Sequence, residues 1–267
     1  MEVITIFVAT RFIFDDIPSD TYDLMIYDIK NKTGVDETEL GGAWKIVESR
    51  IPSSPFPIVF GAAYDSPLQF TITFGSKKPF DRNLVHEMGV WLCKPGMYRW
   101  LEILQTDLED IRYKCYMSNM KLITLENCPI AFTVDCECDC GYAHTYPRVI
   151  RRNITSSDTI SIWNDSGYHG YLYPVISIQP DAASSSVSIR NLDDGDRETS
   201  FTGLNLSGKD VITIDNARQI ITCTNGRNMY RNFNMKFLRL RRGENRLVIS
   251  GKCGISIEYE LLRIVGS

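Results

Sequence analysis

From Thr159 onward the sequence never sustains a helical period. Short β-branched runs recur at close spacing, separated by Gly, Asn, Asp and Ser: Thr159–Trp163, Tyr173–Gln179, Ser186–Asn191, Glu198–Gly203, Val211–Asp215, Gln219–Thr224, Arg246–Ser250 and Gly254–Leu261. Such a chain has to pair strand with strand, and the spacing is that of a two-sheet sandwich. The second half is therefore read as all-β.

The first half differs by one segment. Val3–Phe14, Tyr22–Lys30, Ala43–Arg50 and Leu68–Gly75 read as strands, while Pro52, Pro55 and Pro57 mark Ile51–Ile58 as a connecting loop. Asp81 has the character of a helix N-cap. After it, Leu84, Val85, Met88, Trp91 and Leu92 make a helical stripe that Lys94-Pro95-Gly96 stops, so a helix is expected near 82–93. Tyr98–Gln105, Ile111–Met120 and Ala131–Cys140 return to strand. The expected fold is mainly β: an N-terminal β-rich domain with one packed α-helix (1–147), then a C-terminal β-sandwich (148–267). The boundary is set on the polar stretch Tyr146–Asp158. Its arginines Arg148, Arg151 and Arg152 read as a solvated linker, with a phosphate patch as the functional alternative.

Composition narrows the function classes. A 267-residue chain with 43% hydrophobic and 23% charged residues builds a real core, and its net charge of −4 argues against a dedicated nucleic-acid binder. No apolar run approaches the roughly 18 residues that cross a bilayer. The start Met1-Glu2 has no basic region ahead of its short apolar stretch, so no secretory signal is expected and the compartment is read as cytoplasmic.

Cysteine usage agrees. Cys136, Cys138 and Cys140 alternate with Glu137 and Asp139, which would put the three thiols on one strand face with Phe132 and Val134. A thiolate metal site is the functional reading, but Cys-x-Cys-x-Cys lacks the second pair of a zinc site. Same-face neighbours about 7 Å apart are also too distant for an easy disulfide. A reduced, core-facing stripe is expected.

Near-motifs fail on chemistry. Gly203 to Gly208-Lys209 has P-loop spacing, yet Asp210 follows where Ser or Thr should ligate magnesium, and Val211–Asp215 is a strand rather than a helix. His86-Glu87 lies on the helix, but Val90 replaces the second zinc ligand. His86, His144 and His169 have no nucleophile elbow beside them. Asp193, Asp194, Asp196 and Glu198 around Gly195 lack EF-hand spacing and read as a solvated hairpin turn. Asn31, Asn153, Asn164 and Asn205 begin glycosylation sequons that matter only in a secretory context. Arg239 and Arg241, with Arg242, read as the outer face of a strand. No catalytic, cofactor-binding or metal-ligating residue is assigned, and the chain is read as non-enzymatic.

Several segments together resemble the distal tail protein family of long-tailed (siphophage-type) bacteriophages. They are Tyr64-Asp-Ser-Pro67-Leu68-Gln-Phe70-Thr-Ile72, the helix Leu84–Leu92 leading into Pro95-Gly96-Met-Tyr98-Arg-Trp100-Leu101, Tyr113–Asn119 and Phe132–Cys136. In the second half they are Trp163-Asn164-Asp-Ser-Gly167, Tyr173–Ile178, Val187–Asn191, Gly208–Ile212 and Leu240-Arg-Arg-Gly243-Glu-Asn245.

The resemblance implies a galectin-like C-terminal sandwich and a structural role at the virion tail tip, with assembly in the host bacterial cytoplasm. It implies a hexameric ring, or baseplate hub, joining the tail tube protein to a tail-tip or tail-associated lysin protein, with receptor-binding proteins docked on the ring. The tape measure protein and DNA would pass through the lumen without specific binding; no cofactor and no membrane insertion are implied. Some relatives return the final strand to the N-terminal domain, and Gly254–Val265 is the segment able to do so. Two other classes compete. One is a carbohydrate-binding sandwich using Trp163, Tyr168, Tyr171 or Tyr173, aromatics whose default reading is core. The other is a glycosidase, for which no convergent carboxylates are assigned.

Overall fold

The computed structural model describes residues 11–27, 44–64, 66–76 and 78–264. It divides into two compact units, Met1–Thr145 with Leu262–Ser267, and Tyr146–Leu261. No helix among the described residues is long and apolar enough to cross a membrane.

The first unit holds β1 (Phe12–Phe14), β2 (Ile17–Pro18), β3 (Met25–Ile26), β4 (Trp44–Ser49), β5 (Ile58–Tyr64), β6 (Gln69–Gly75), α1 (Arg82–Leu92), β7 (Arg99–Ile103), β8 (Ile111–Leu125), β9 (Cys128–Cys138) and β10 (Ala143–Thr145). Its main sheet is antiparallel, in the order β2-β1-β7-β8-β9-β6-β3, and β10 also pairs with β8. The Asp81 carboxylate caps α1 by accepting from Leu84 N at 2.7 Å, which satisfies a donor that no helical carbonyl can reach. Met88, Trp91 and Leu92 turn inward. The Trp91 ring lies against Phe12 and Tyr22, and its indole N–H donates to Phe14 O at 3.0 Å. Gly96 then takes φ +108, a conformation that glycine adopts without strain, and the chain turns into β7.

β9 follows its alternation: Phe132, Val134, Cys136 and Cys138 are buried, and Cys115 of β8 is buried opposite Cys138. Burial pushes the Cys136 and Cys138 thiols well above their ordinary range, so both stay protonated and inert. The outer face carries polar pairs instead, Thr71 Oγ1 to Asp135 at 2.9 Å and Gln69 to Glu137 at 3.0 Å. Cys140 departs from the expected stripe. The strand ends at Cys138, and Asp139 N donates to Lys114 O at 2.8 Å, which turns Cys140 out of the core.

Tyr22–Lys30 is not one strand: Ser19–Tyr22 is a 3-10 turn, Asp23 takes φ 52, and only Met25–Ile26 pairs. Residues 28–30 of that segment, like Val3–Thr10 of the first expected strand and Asn31, lie outside the described residues. β5 (Ile58–Tyr64) is a strand with no counterpart among the sequence expectations.

The second unit holds β11 (Arg148–Ile154), β12 (Ser157–Asn164), β13 (Val175–Pro180), β14 (Ser186–Asn191), β15 (Arg197–Thr202), β16 (Ile212–Asp215), β17 (Ile220–Cys223), β18 (Gly243–Ser250) and β19 (Cys253–Tyr259). Two antiparallel sheets form, β11-β19-β13-β16-β17 and β12-β18-β14-β15. Their buried side chains include Ile176, Ile178, Ile212 and Ile214 from one sheet and Ile162, Ile189, Leu247 and Ile249 from the other. The stretch read as a linker is strand: Arg148–Ile154 pairs along its whole length with β19, and Arg148, Arg151 and Arg152 project from an exposed edge. After β19 the chain re-enters the first unit, where β20 (Leu262–Arg263) pairs with Ala143 and His144 of β10.

The arginine segment Arg239–Arg242 is not a strand either. Its backbone is held by buried asparagine side chains. Asn245 donates to Arg241 O (2.8 Å) and Gly243 O (3.1 Å) and accepts from Arg241 N (2.9 Å). Asn191 donates to Arg239 O (3.1 Å) and to Asn245 Oδ1 (3.0 Å), while Asn164 donates to Leu240 O and Arg241 O. Asn216 accepts from Leu238 N at 2.7 Å. Asn164 is fully buried, so its sequon is closed to glycosylation in the folded protein. Replacing Asn245 by Ala strands several of these groups in the interior, and each orphan costs about 1–3 kcal/mol. We expect Asn245→Ala to lose about 3 kcal/mol in urea unfolding, against under about 0.5 kcal/mol for the exposed Asn205→Ala.

Candidate functional site

Strands β4 and β5 form a two-stranded sheet that pairs with no other strand among the described residues. Register runs from Trp44 opposite Tyr64 to Ser49 opposite Ile58, broken by a bulge where Phe60 has no partner. The pair presents Ile46, Val47, Ile58, Val59 and Phe60 to solvent, and its connecting loop adds Ile51 and Phe56. Phe56 is 76% exposed and Phe60 69%. An isolated two-stranded ribbon is marginal in water, and contiguous exposed apolar side chains mark a contact surface. Burying either phenylalanine gains about 1.5–3 kcal/mol, more than a typical surface ion pair supplies.

The far end of the β8–β9 hairpin is similar on a smaller scale. β8 buries alternate residues up to Met117, then bulges between Ser118 and Lys121 with Asn119 at φ 54. Beyond it Leu122 and Leu125 are exposed, and Glu126-Asn127 closes the turn with both φ positive.

The acidic turn between β14 and β15 is clamped rather than simply solvated. Asp193 accepts from Arg246 through the backbone N–H (2.7 Å) and two guanidinium nitrogens (3.1 and 2.8 Å). Asp194 accepts two bonds from Arg239 (2.7 and 3.1 Å), whose guanidinium also lies 3.9 Å from the Tyr171 ring centre. Carboxylates already paired with arginines are poor calcium ligands. The Gly203–Lys209 stretch is equally remote from phosphate binding, because Asp210 accepts from Ser207 N inside it. His86 and Glu87 sit exposed on α1.

The aromatics that were expected in a core are on the surface: Trp163 is 62% exposed, Tyr171 and Tyr173 are exposed, and Tyr168 is half-buried. Trp163 is outward because Ile160 and Ile162 of the same strand take the inward positions, leaving the odd residues to face water.

One group with metal-ligand character occurs among the described residues. Asp139 Oδ1 and Cys140 Sγ lie 3.1 and 3.8 Å from the same atom, His144 Nε2, and the three donor atoms are all within 4.8 Å of one another. Lys114 Nζ is 3.5 Å from the other Asp139 oxygen, and the Trp100 ring, with Arg112 stacked on it, meets His144 edge-on. Burial pushes the Asp139 carboxyl up, but the His144 hydrogen bond and the His144 and Lys114 charges outweigh it and hold the group below its ordinary value. A Cys-His-Asp triad needs thiol and carboxylate on opposite ring nitrogens, so this arrangement does not serve nucleophilic catalysis.

Hydrogen bonds from Arg246, first through its side chain and then its backbone, hold Asp193 down to about 2, against 3.8 for a free side chain. The stabilisation is therefore complete above the free value and is lost as pH falls through the folded one. In urea titrations, the gap between the wild type and Asp193→Asn should be constant above about pH 5 and close between about pH 4 and 2.

Comparison with known proteins follows the same lines. The solved structure of the SPP1 Dit (gp 19.1) protein, described as a paradigm of the hub adsorption apparatus in phages infecting Gram-positive hosts, superposes with a TM-score of 0.68. That match covers 94% of this chain and 99% of SPP1 Dit at 9% identity. A chain of the phage P2 baseplate, in its activated conformation with Ca, matches with a TM-score of 0.51 over 94% of this chain and 98% of its own, at 12% identity. No curated protein matches the sequence. Residues 7–140 match the family model of a phage tail protein N-terminal domain, and residues 142–259 that of a phage tail C-terminal domain. With both halves matched in order, the chain belongs to the phage tail protein family.

Proposed function

We propose that this chain is a structural hub subunit of the phage tail tip, closing into a hexameric ring between the tail tube and the tip. The observation that carries the reading is the β4–β5 arm. Its exposed apolar residues and its outer edges, which pair with no strand among the described residues, suit a neighbouring copy of the same chain, and a head-to-tail contact repeated by rotation closes a ring. The SPP1 Dit fold supports the hub role. The tail tube protein, a tail-tip or tail-associated lysin protein and receptor-binding proteins are its partners in this reading. A net charge of −4 suits a lumen that lets the tape measure protein and DNA pass without holding phosphate. Eight free cysteines suit assembly in a reducing bacterial cytoplasm before the protein takes its place at the virion tail tip. The role is structural and not catalytic.

Light scattering on the wild type, alone or with its tube protein, should give six times the 30.5 kDa chain mass, or a pair of such rings. Phe56→Ser with Phe60→Ser should leave the melting temperature within a degree or two and reduce the mass to that of one chain. A doubly substituted protein that still forms rings would overturn the arm's role.

A second reading, carbohydrate binding by the galectin-like second unit, draws on the exposed face of Trp163, the kind of flat ring on which a sugar stacks. In that case, glycan-array binding would be present in the wild type and absent in a folded Trp163→Ala. An array without signal for the wild type would dispose of it.

A further inference from the structure

We propose that Asp139, Cys140 and His144 bind a divalent transition metal ion of the zinc class, which staples the strand leaving the first unit. The geometry is that of a ligand shell. Zinc bonds of about 2.0 Å to imidazole nitrogen and carboxylate oxygen and about 2.3 Å to thiolate sulfur, at tetrahedral angles, set N···O and N···S separations near 3.3 and 3.5 Å. The observed separations are 3.1 and 3.8 Å, both measured from one nitrogen. The Cys140 thiol donates to Tyr142 O at 3.5 Å, while its sulfur and Asp139 Oδ1 both face His144 Nε2; an ion held between the three would use one donor atom from each.

Charge and chemistry agree. On binding, the Cys140 thiol releases its proton to solvent and the thiolate and the Asp139 carboxylate neutralise the dication; no electron moves. A thiolate, an imidazole and a carboxylate together suit zinc or cobalt better than magnesium or calcium, which take oxygen donors only. Three protein ligands leave a fourth position for water.

The donors are also held in place by backbone bonds that do not depend on the ion. Asp139 N donates to Lys114 O at 2.8 Å, Cys140 O accepts from Leu68 N at 3.1 Å, and His144 stands in register between Arg112 of β8 and Leu262 of β20. The ion would therefore tie the end of β9 to β10, the strand against which the returning β20 pairs. Lys114 Nζ, 3.5 Å from the second Asp139 oxygen, balances that oxygen and leaves Oδ1 to the metal.

The test is a cobalt titration of the full chain, stripped with a chelator and kept reduced. One equivalent of Co2+ should give a thiolate-to-cobalt charge-transfer band with visible d–d bands, and Zn2+ should abolish them. Cys140→Ser should lose the charge-transfer band, His144→Ala and Asp139→Asn should weaken binding at least tenfold, and Cys128→Ser, at an exposed thiol outside the cluster, should titrate as wild type. Zinc should raise the melting temperature of the wild type and not that of Cys140→Ser, a readout that holds when a variant is partly destabilised. Absence of any band in the wild type, or a band that survives Cys140→Ser, would overturn the proposal.

Discussion

Every buried backbone N–H and C=O needs a partner, and with a single α-helix among the described residues most of those partners must come from another strand. That requirement organises the chain. In the first unit it produces one antiparallel sheet built around the long β8–β9 pair, with α1 covering the buried face through Met88, Trp91 and Leu92. In the second it produces two sheets whose buried faces are mainly aliphatic, with Asn164, Asn191 and Asn245 buried at or near strand ends. Where the ladder stops, something else takes over. Between Leu238 and Arg242 the substitutes are the amides of Asn164, Asn191, Asn216 and Asn245, each buried and each bonded at both ends or to several carbonyls. A buried asparagine with this many partners is a fixed joint, because any shift would leave one of its bonds unmade.

The β4–β5 ribbon is the place where the requirement is not met among the described residues. Its outer edges pair with no described strand, and its apolar side chains face water. A monomer gains little from such an arm, and an assembly gains a good deal, which is why the surface reads as a contact with another molecule. The protein's strong polar contacts, such as Arg246 on Asp193 and Arg239 on Asp194, are mutually satisfied pairs at a turn, and they fasten loops to sheets without converging on an open cavity.

The loop after β9 occupies a middle ground. Asp139, Cys140 and His144 are fixed by the same backbone bonds that end one strand and begin the next, so three side chains of different chemistry are brought together as a by-product of a turn. Leu262–Arg263 returns to pair with Ala143 and His144 of β10, so the last described strand lies beside one of the three groups.

How much of this was legible depends on what each residue reports. The helix was readable because Asp81 caps it and Met88, Trp91 and Leu92 repeat on one side. The strand ending in Cys136 and Cys138 was readable because alternation survives wherever one face is buried. The same rule explains the failures. Arg148–Ile154 is an edge strand with only Ile154 fully buried, so its sequence carries no alternation, and it forms because β19 offers it seven paired positions. Arg239–Arg242 alternates like a strand, yet two asparagines distant in sequence, at 164 and 191, and a third at 245 claim its backbone, while Asn216 holds the preceding Leu238. Cys140 continues the pattern of Cys136 and Cys138 in sequence but not in space, because one backbone bond to Lys114 ends the strand. Local patterning thus determined the fold class, the helix and the central strands by itself. Edge strands, the asparagine joints, the exposed arm and the Asp139–Cys140–His144 grouping were decided by tertiary structure, because each depends on a partner far away in the chain, or outside it.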